Sequence, residues 1–146
     1  MRSAVVGFIL LAGLACLPAA TEAQSSRPNP PRVGDELEGT SWQAVSIDGR
    51  PVPNPAEMTI DFLKGGDSVR GQAGCNRFTG PFASRGDKVT MGILRQSRDD
   101  CPPEQAAAQQ AFIDMLHAAY RTEVDGQTLT FYSRQGQQIT LERLKR

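Results

Sequence analysis

Residues 102–120 read PPEQAAAQQAFIDMLHAAY, and whether this stretch is helix or strand decides the fold. Ala108, Phe112, Met115, Leu116 and Ala119 recur at helical spacing, so their side chains share one stripe of an α-helix. Pro102 and Pro103 fall where a first turn tolerates proline, and Glu104 complements the N-terminal dipole. Asp99 and Asp100, just upstream, fit helix capping. A single amphipathic helix must bury its stripe, and the segments around it are strands.

Outward from the helix the period is two. Thr40–Ile47, Met58–Leu63, Ser68–Ala73 and Lys88–Leu94 precede it, and Arg121–Val124, Thr128–Tyr132 and Gln138–Leu144 follow, with turn signals such as Asp48-Gly49, Gly65-Gly66-Asp67, Arg85-Gly86-Asp87 and Asp125-Gly126 between them. Short strands with frequent turns predict an antiparallel sheet of hairpins, so the fold class is α+β. Between two of these strands lies GQAGCNRFTG, residues 71–80. Gly71, Gly74 and Gly80 permit backbone angles that other residues resist, Asn76 suits a left-handed or turn position, and Phe78 is a core anchor. Arg77 either pairs with an acidic neighbour or is presented to a ligand.

The N-terminus has Arg2, an apolar run of 14 residues from Ala4 to Leu17, and small residues Thr21 and Ala23. This is the layout of a signal peptide, with cleavage expected after Ala23; lipidation of Cys16 is the alternative. The run is short of the roughly 20 residues of a membrane-spanning helix. Residues 24–36 read as a Pro/Ser-rich flexible leader, and the folded domain is expected over 37–146. The 16 basic and 16 acidic residues balance. Loss of Arg2 and Glu22 with the signal peptide keeps the chain neutral, which argues against nucleic acid as a partner.

Cys75 and Cys101 remain after cleavage, and export would place them in an oxidising compartment, so they are expected to form a disulfide; a free thiol pair is the alternative. Closing that loop would contribute about 3.5 kcal/mol through the unfolded chain. A nucleophilic Cys75 needs a nearby base, and the single histidine, His117, falls on the polar helix face. Two cysteines 26 apart with no C-x-x-C do not make a zinc or redox centre. No catalytic residue, metal or cofactor is implied.

The block Gly71-x-x-Gly74-Cys75-Asn76-Arg77-Phe78-x-Gly80, followed in order by Met91-Gly92-x-Leu94 and a Cys101-Pro102 pair ahead of the helix, resembles the META domain of the HslJ-like family. Leu37-x-Gly39-Thr40-x-Trp42 and Asp48-Gly49-x-Pro51-Val52 resemble the family's opening strand and first turn, and the C-terminal strands follow in its order. Family members often carry Thr-Arg-Met-Ala-Cys where this chain has Ser97-Arg98-Asp99-Asp100-Cys101, so the Arg and the Cys keep their places while two acidic residues replace an apolar and a small one. The resemblance implies a curved antiparallel sheet, an open half-barrel with one helix packed across it. It also implies a bacterial envelope protein, associated with heat shock and with stress or antibiotic tolerance, without known catalytic activity. Its partner would be an unknown envelope protein, peptide or lipid, bound by a monomer. One variant of this reading is a lipid carrier, with Trp42 and the phenylalanines lining the inside of the sheet; a thiol enzyme centred on Cys75 is another.

Overall fold

The computed structural model describes residues 32–145; the expected signal peptide, Cys16 and most of the leader lie outside that range. In chain order the elements are α1 (Val33–Leu37), β1 (Ser41–Ile47), β2 (Arg50–Pro51), a 3-10 turn (Pro55–Glu57), β3 (Met58–Phe62), β4 (Ser68–Ala73), β5 (Asn76–Arg85), β6 (Lys88–Met91), β7 (Arg95–Gln96), α2 (Pro103–Ala118), β8 (Ala119–Asp125), β9 (Thr128–Ser133) and β10 (Gln138–Arg143). α1 begins inside the segment read as leader and buries Gly34 and Leu37. The alternation that marked the strands is real burial: in β3, Met58, Ile60 and Phe62 are buried, while Thr59 and Asp61 face outward.

The expected open half-barrel is corrected to a closed one. β1 pairs with β3 on one side and with β10 on the other, through Trp42 opposite Arg143 and Ala44 opposite Leu141. The ring therefore runs β1, β3, β4, β5, β6, β8, β9, β10 and back to β1, with β2 attached to β1 and β7 to β5. The strand that completes it is β5, which the glycine-rich block concealed. Its first half pairs with β4, from Asn76 opposite Ala73 to Pro81 opposite Ser68, and its second half pairs with β6, from Phe82 opposite Met91 to Arg85 opposite Lys88. With β5 present, each wall strand has a partner on both sides, and closure removes the exposed edges an open sheet would carry.

A ring of eight strands leaves an interior just wide enough to be filled by side chains. Here Trp42, Ile60, Val69, Leu129, Phe131, Ile139 and Leu141 are fully buried. The rings of Phe62 and Phe82 meet edge to face at 5.0 Å. α2 touches β1, β4, β6 and β9, which are spaced around the ring, so it closes one end of the barrel instead of lying across a sheet face. Phe112, Ile113, Met115 and Leu116 point into that end, each burial stabilising by roughly 1.5–3 kcal/mol. α1 sits against β5 and β8 at the other end, where the Arg143 guanidinium lies 4.5 Å over the Trp42 ring. No helix among the described residues is long and apolar enough to cross a membrane.

Candidate functional site

The motif block builds the joint between barrel and helix. Cys75 and Cys101 stand at disulfide distance, with Cα atoms 5.7 Å apart, which ties the β4–β5 turn to the segment before α2. Gly74 takes φ of 59° in that turn, so it is the residue in the left-handed region. Gly71 and Gly80 have no such angle; they are glycine because of close approach. A Cβ on Gly71 would strike the Thr59 carbonyl oxygen and stand 2.7 Å from the Phe78 ring, and one on Gly80 would lie 2.7 Å from the Ile93 carbonyl oxygen. Phe78 is directly opposite Gly71 and packs its ring against Phe112 of α2, with centroids 6.0 Å apart.

Asn76 is not in a left-handed turn. It opens β5, is buried, and its amide is the hub of a polar network. Its Nδ2 donates to Gln109 Oε1 on α2 at 3.0 Å and to Cys101 Sγ at 3.4 Å. Its Oδ1 accepts from the Asp99 backbone N–H at 2.8 Å and from Ser97 Oγ at 3.1 Å. Asp99 therefore belongs to this network, its carboxylate sharing the single Ser97 hydroxyl proton with Asn76 Oδ1. The expected capping by Asp99 and Asp100 is not what the structure has: the N-cap position is Pro102, with no side-chain cap bond. Glu104 does lie in the first turn.

Both sulfurs are engaged with each other, and His117 is exposed on α2. No group of three potential metal ligands occurs among the described residues. Three groups on the β6–β8–β9 exterior have shifted acidities. The Tyr132 hydroxyl, donating to Glu123 at 2.7 Å, holds that carboxyl below its ordinary range, and the same bond raises the Tyr132 phenol. Asp87 raises Lys88. All three stand at the surface, where such interactions are worth little. Of the aromatics considered as a ligand lining, Trp42, Phe62, Phe82 and Phe131 are buried inside the barrel, with Phe62 packed on Phe82 and Phe131.

The exterior is different. On β3, β4, β5 and β7 the outward side chains form two rows read directly from the register. The first is Asp61, Arg70, Thr79 and Arg95; the second is Thr59, Gln72 and Arg77, ending at Ser97, whose Oγ accepts from the Arg77 N–H at 3.0 Å. These residues line a groove of about 570 Å³. Arg70 pairs with Asp61 at 3.4 Å, but among the described residues no acidic side chain lies within ion-pair distance of Arg77 or Arg95. A second hollow, lined by Thr79, Gly80, Pro81, Ile93 and Arg95, continues the groove, and Ile93 is 83% exposed. Sequence reasoning singled out Arg77 and missed Arg70 and Arg95. Period-two placement on facing strands was the available signal, and it needs the register to be read.

The profile of the META domain family matches residues 35–146. The chain belongs to the META domain family. No curated protein gives a significant match. Among solved structures, the META domain is similar to a protein from Burkholderia xenovorans determined by NMR, with TM-score 0.66 and 25% identity over 89% of this chain and all of that one. A DUF4847 family protein from Bacteroides vulgatus aligns with TM-score 0.60 and 16% identity, over 78% of this chain and 99% of that one. A third structure, also solved by NMR, has TM-score 0.59 and 23% identity over 75% and 92% of the two chains. These likenesses concern the fold.

Proposed function

We propose that this META-domain protein is an exported, non-enzymatic component of the bacterial envelope that acts by binding another envelope component through its outer barrel surface. Its role lies in stress or antibiotic tolerance. The observation that carries the reading is a contrast between inside and outside. The interior is filled by Trp42, Phe62, Phe82 and Phe131, while the outer face of β3, β4, β5 and β7 holds Arg77 and Arg95 in solvent with no acidic partner among the described residues. A surface that keeps unneutralised guanidinium groups in a groove is suited to recognition. Export is supported by the N-terminal pattern and by the disulfide-distance pair, which suits an oxidising compartment.

The test is to express the full chain with its own leader, recover it by fractionation, and measure its denatured intact mass with and without reductant after thiol alkylation. A chain starting at Gln24 whose thiols alkylate only after reduction supports the reading. An unprocessed cytosolic chain, or a Cys75 that alkylates in the native protein, refutes it.

A further inference from the structure

We propose that the groove across β3, β4, β5 and β7 binds an extended acidic peptide segment, with two carboxylates two residues apart held by Arg77 and Arg95 and an apolar side chain set against Pro81 and Ile93. This rests on the reading of the protein as a surface binder and names what that surface takes.

The geometry follows from the register. Thr79 lies directly between Arg70 and Arg95 on neighbouring strands, and Arg77 lies two residues along β5 in the adjoining row. Strands stand about 4.8 Å apart and alternate residues about 7 Å apart, so the three arginines surround Thr79 at roughly 7–10 Å spacings between backbones. Like charges this close on one sheet face oppose folding. One of them is offset by Asp61, whose carboxylate meets Arg70 at 3.4 Å. The groove also includes Ser97, bonded to the Asp99 carboxylate at 2.8 Å, so acidic groups stand at both margins and the positive charge is concentrated in the middle.

An extended peptide repeats its same-face side chains about every 7 Å, which matches the step between rows, and guanidinium forks bind carboxylates bidentately. The rows also supply Thr59, Gln72 and Ser97 for hydrogen bonds to a peptide. Two features favour a peptide over a lone phosphate or a membrane surface. The arginines are spread over a face instead of converging on a point, and the groove runs on to Pro81 and Ile93, an exposed apolar contact that a small anion has no use for. A membrane surface would call for a broad basic excess, whereas this chain has 16 basic and 16 acidic residues, with Asp61 at the margin of the groove.

The test is fluorescence anisotropy with the full chain purified from its exported location. The probes are a labelled seven-residue peptide with glutamates at its second and fourth positions and leucine at its sixth, and its glutamine counterpart. Saturable binding of the glutamate peptide is expected, with Arg77→Gln and Arg95→Gln each weakening it about tenfold, as loss of a charge-assisted bond requires. Ile93→Ser should weaken it less. Lys88→Gln, away from the groove, should leave it unchanged, and unaltered melting of each variant keeps folding out of the result. Equal binding of the glutamine peptide, or no binding of the glutamate peptide, overturns the proposal. So does displacement of the peptide by inorganic phosphate or by phosphatidylglycerol vesicles that themselves lose affinity for the Arg77→Gln protein. If the peptide fails while the exported chain is processed with its thiols paired, the inference falls and the wider reading stands. If the chain is not exported, or its thiols are not paired, the wider reading falls whatever the peptide does.

Discussion

Replacing Asn76 with alanine separates a structural hub from a residue kept for a ligand. The Asn76 amide holds four groups: Gln109 Oε1 at 3.0 Å, Cys101 Sγ at 3.4 Å, the Asp99 N–H at 2.8 Å and Ser97 Oγ at 3.1 Å. The bonds to Gln109 and to Asp99 contribute about 1 kcal/mol each net, and an Asp99 N–H left without a partner, on an exposed residue, costs about 1 kcal/mol more. Ser97 loses less, because it still donates to the Asp99 carboxylate. The sum is about 3 kcal/mol. At about 4 °C per kcal/mol for a domain of this size, the melting temperature should fall by about 12 °C. Urea unfolding of the thiol-paired protein, followed by Trp42 fluorescence, measures it: the midpoint should drop with an unchanged slope. The Asn76→Ala/Gln109→Ala double variant should show coupling of about 1 kcal/mol. A loss below about 1 kcal/mol for Asn76→Ala, with no coupling to Gln109, would refute the assignment of Asn76 as the clamp between barrel and helix.

Replacing both Cys75 and Cys101 with serine should lower the unfolding free energy by about 3.5 kcal/mol, and reductant should do the same to the parent; equal urea midpoints with and without reductant would remove the staple from the account. Gly71→Ala drives a methyl into the Thr59 carbonyl and the Phe78 ring and should cost about 1–3 kcal/mol, whereas Gly126→Ala, with nothing near the added Cβ, is strained only through its φ of 58°. The Tyr132 phenol should ionise above its ordinary value of 10.0 and return toward it in Glu123→Gln, as read by ultraviolet titration against Tyr132→Phe. The linked stability is present below that ordinary value and is lost as pH rises through the raised one. For Glu123 the contribution is present above the ordinary carboxylate range and is lost as pH falls through the depressed value. Trp42 emission should not respond to added oleate, because its surroundings are already filled; a saturable shift would restore a ligand cavity.

Alternation in the sequence located β1, β3, β4, β6, β9 and β10 to within a few residues, because each buries one face against a common core. It lost β5 because Gly80 and Pro81, poor strand formers, lie in its middle. Those residues are tolerated where the strand passes from β4 to β6 as its partner. The end of α2 was read two residues long, through Tyr120, since the helix runs into β8 with no turn residue between Ala118 and Ala119. Closure was invisible for a different reason: it depends on β1 meeting β10, a pairing of residues 42 and 143 that no local pattern announces. The groove was hidden likewise, its arginines being contributed by β4, β5 and β7. The amide of Asn76 was read as a turn former because the network it serves assembles only when α2 docks.

The block Asn76-Arg77-Phe78-Thr79-Gly80 raised a choice between structure and recognition, and the strand resolves it by period two. Asn76 and Phe78 face inward, one bonding to Gln109 and the other packing on Phe112, and Gly80 leaves room for the β6–β7 connection, whose Ile93 carbonyl would meet any side chain there. These residues fix where α2 sits. Arg77 and Thr79 alternate outward into the groove and contribute side chains to neither the clamp nor the core. A single ten-residue strand thus carries both roles on opposite faces. Because the inward face is rigidly tied to the helix and to the Cys75–Cys101 pair, the outward face is held in a fixed register. The spacing of Arg77 to Arg70 and Arg95 is then set before any ligand arrives, and binding need not supply the ordering cost a mobile loop would impose. Inward changes such as Asn76→Ala should therefore lower stability first and groove affinity only through it. Outward changes such as Arg77→Gln should alter affinity at constant stability. A variant series in which the two effects could not be separated in this way would show that the strand does not divide its work between its faces.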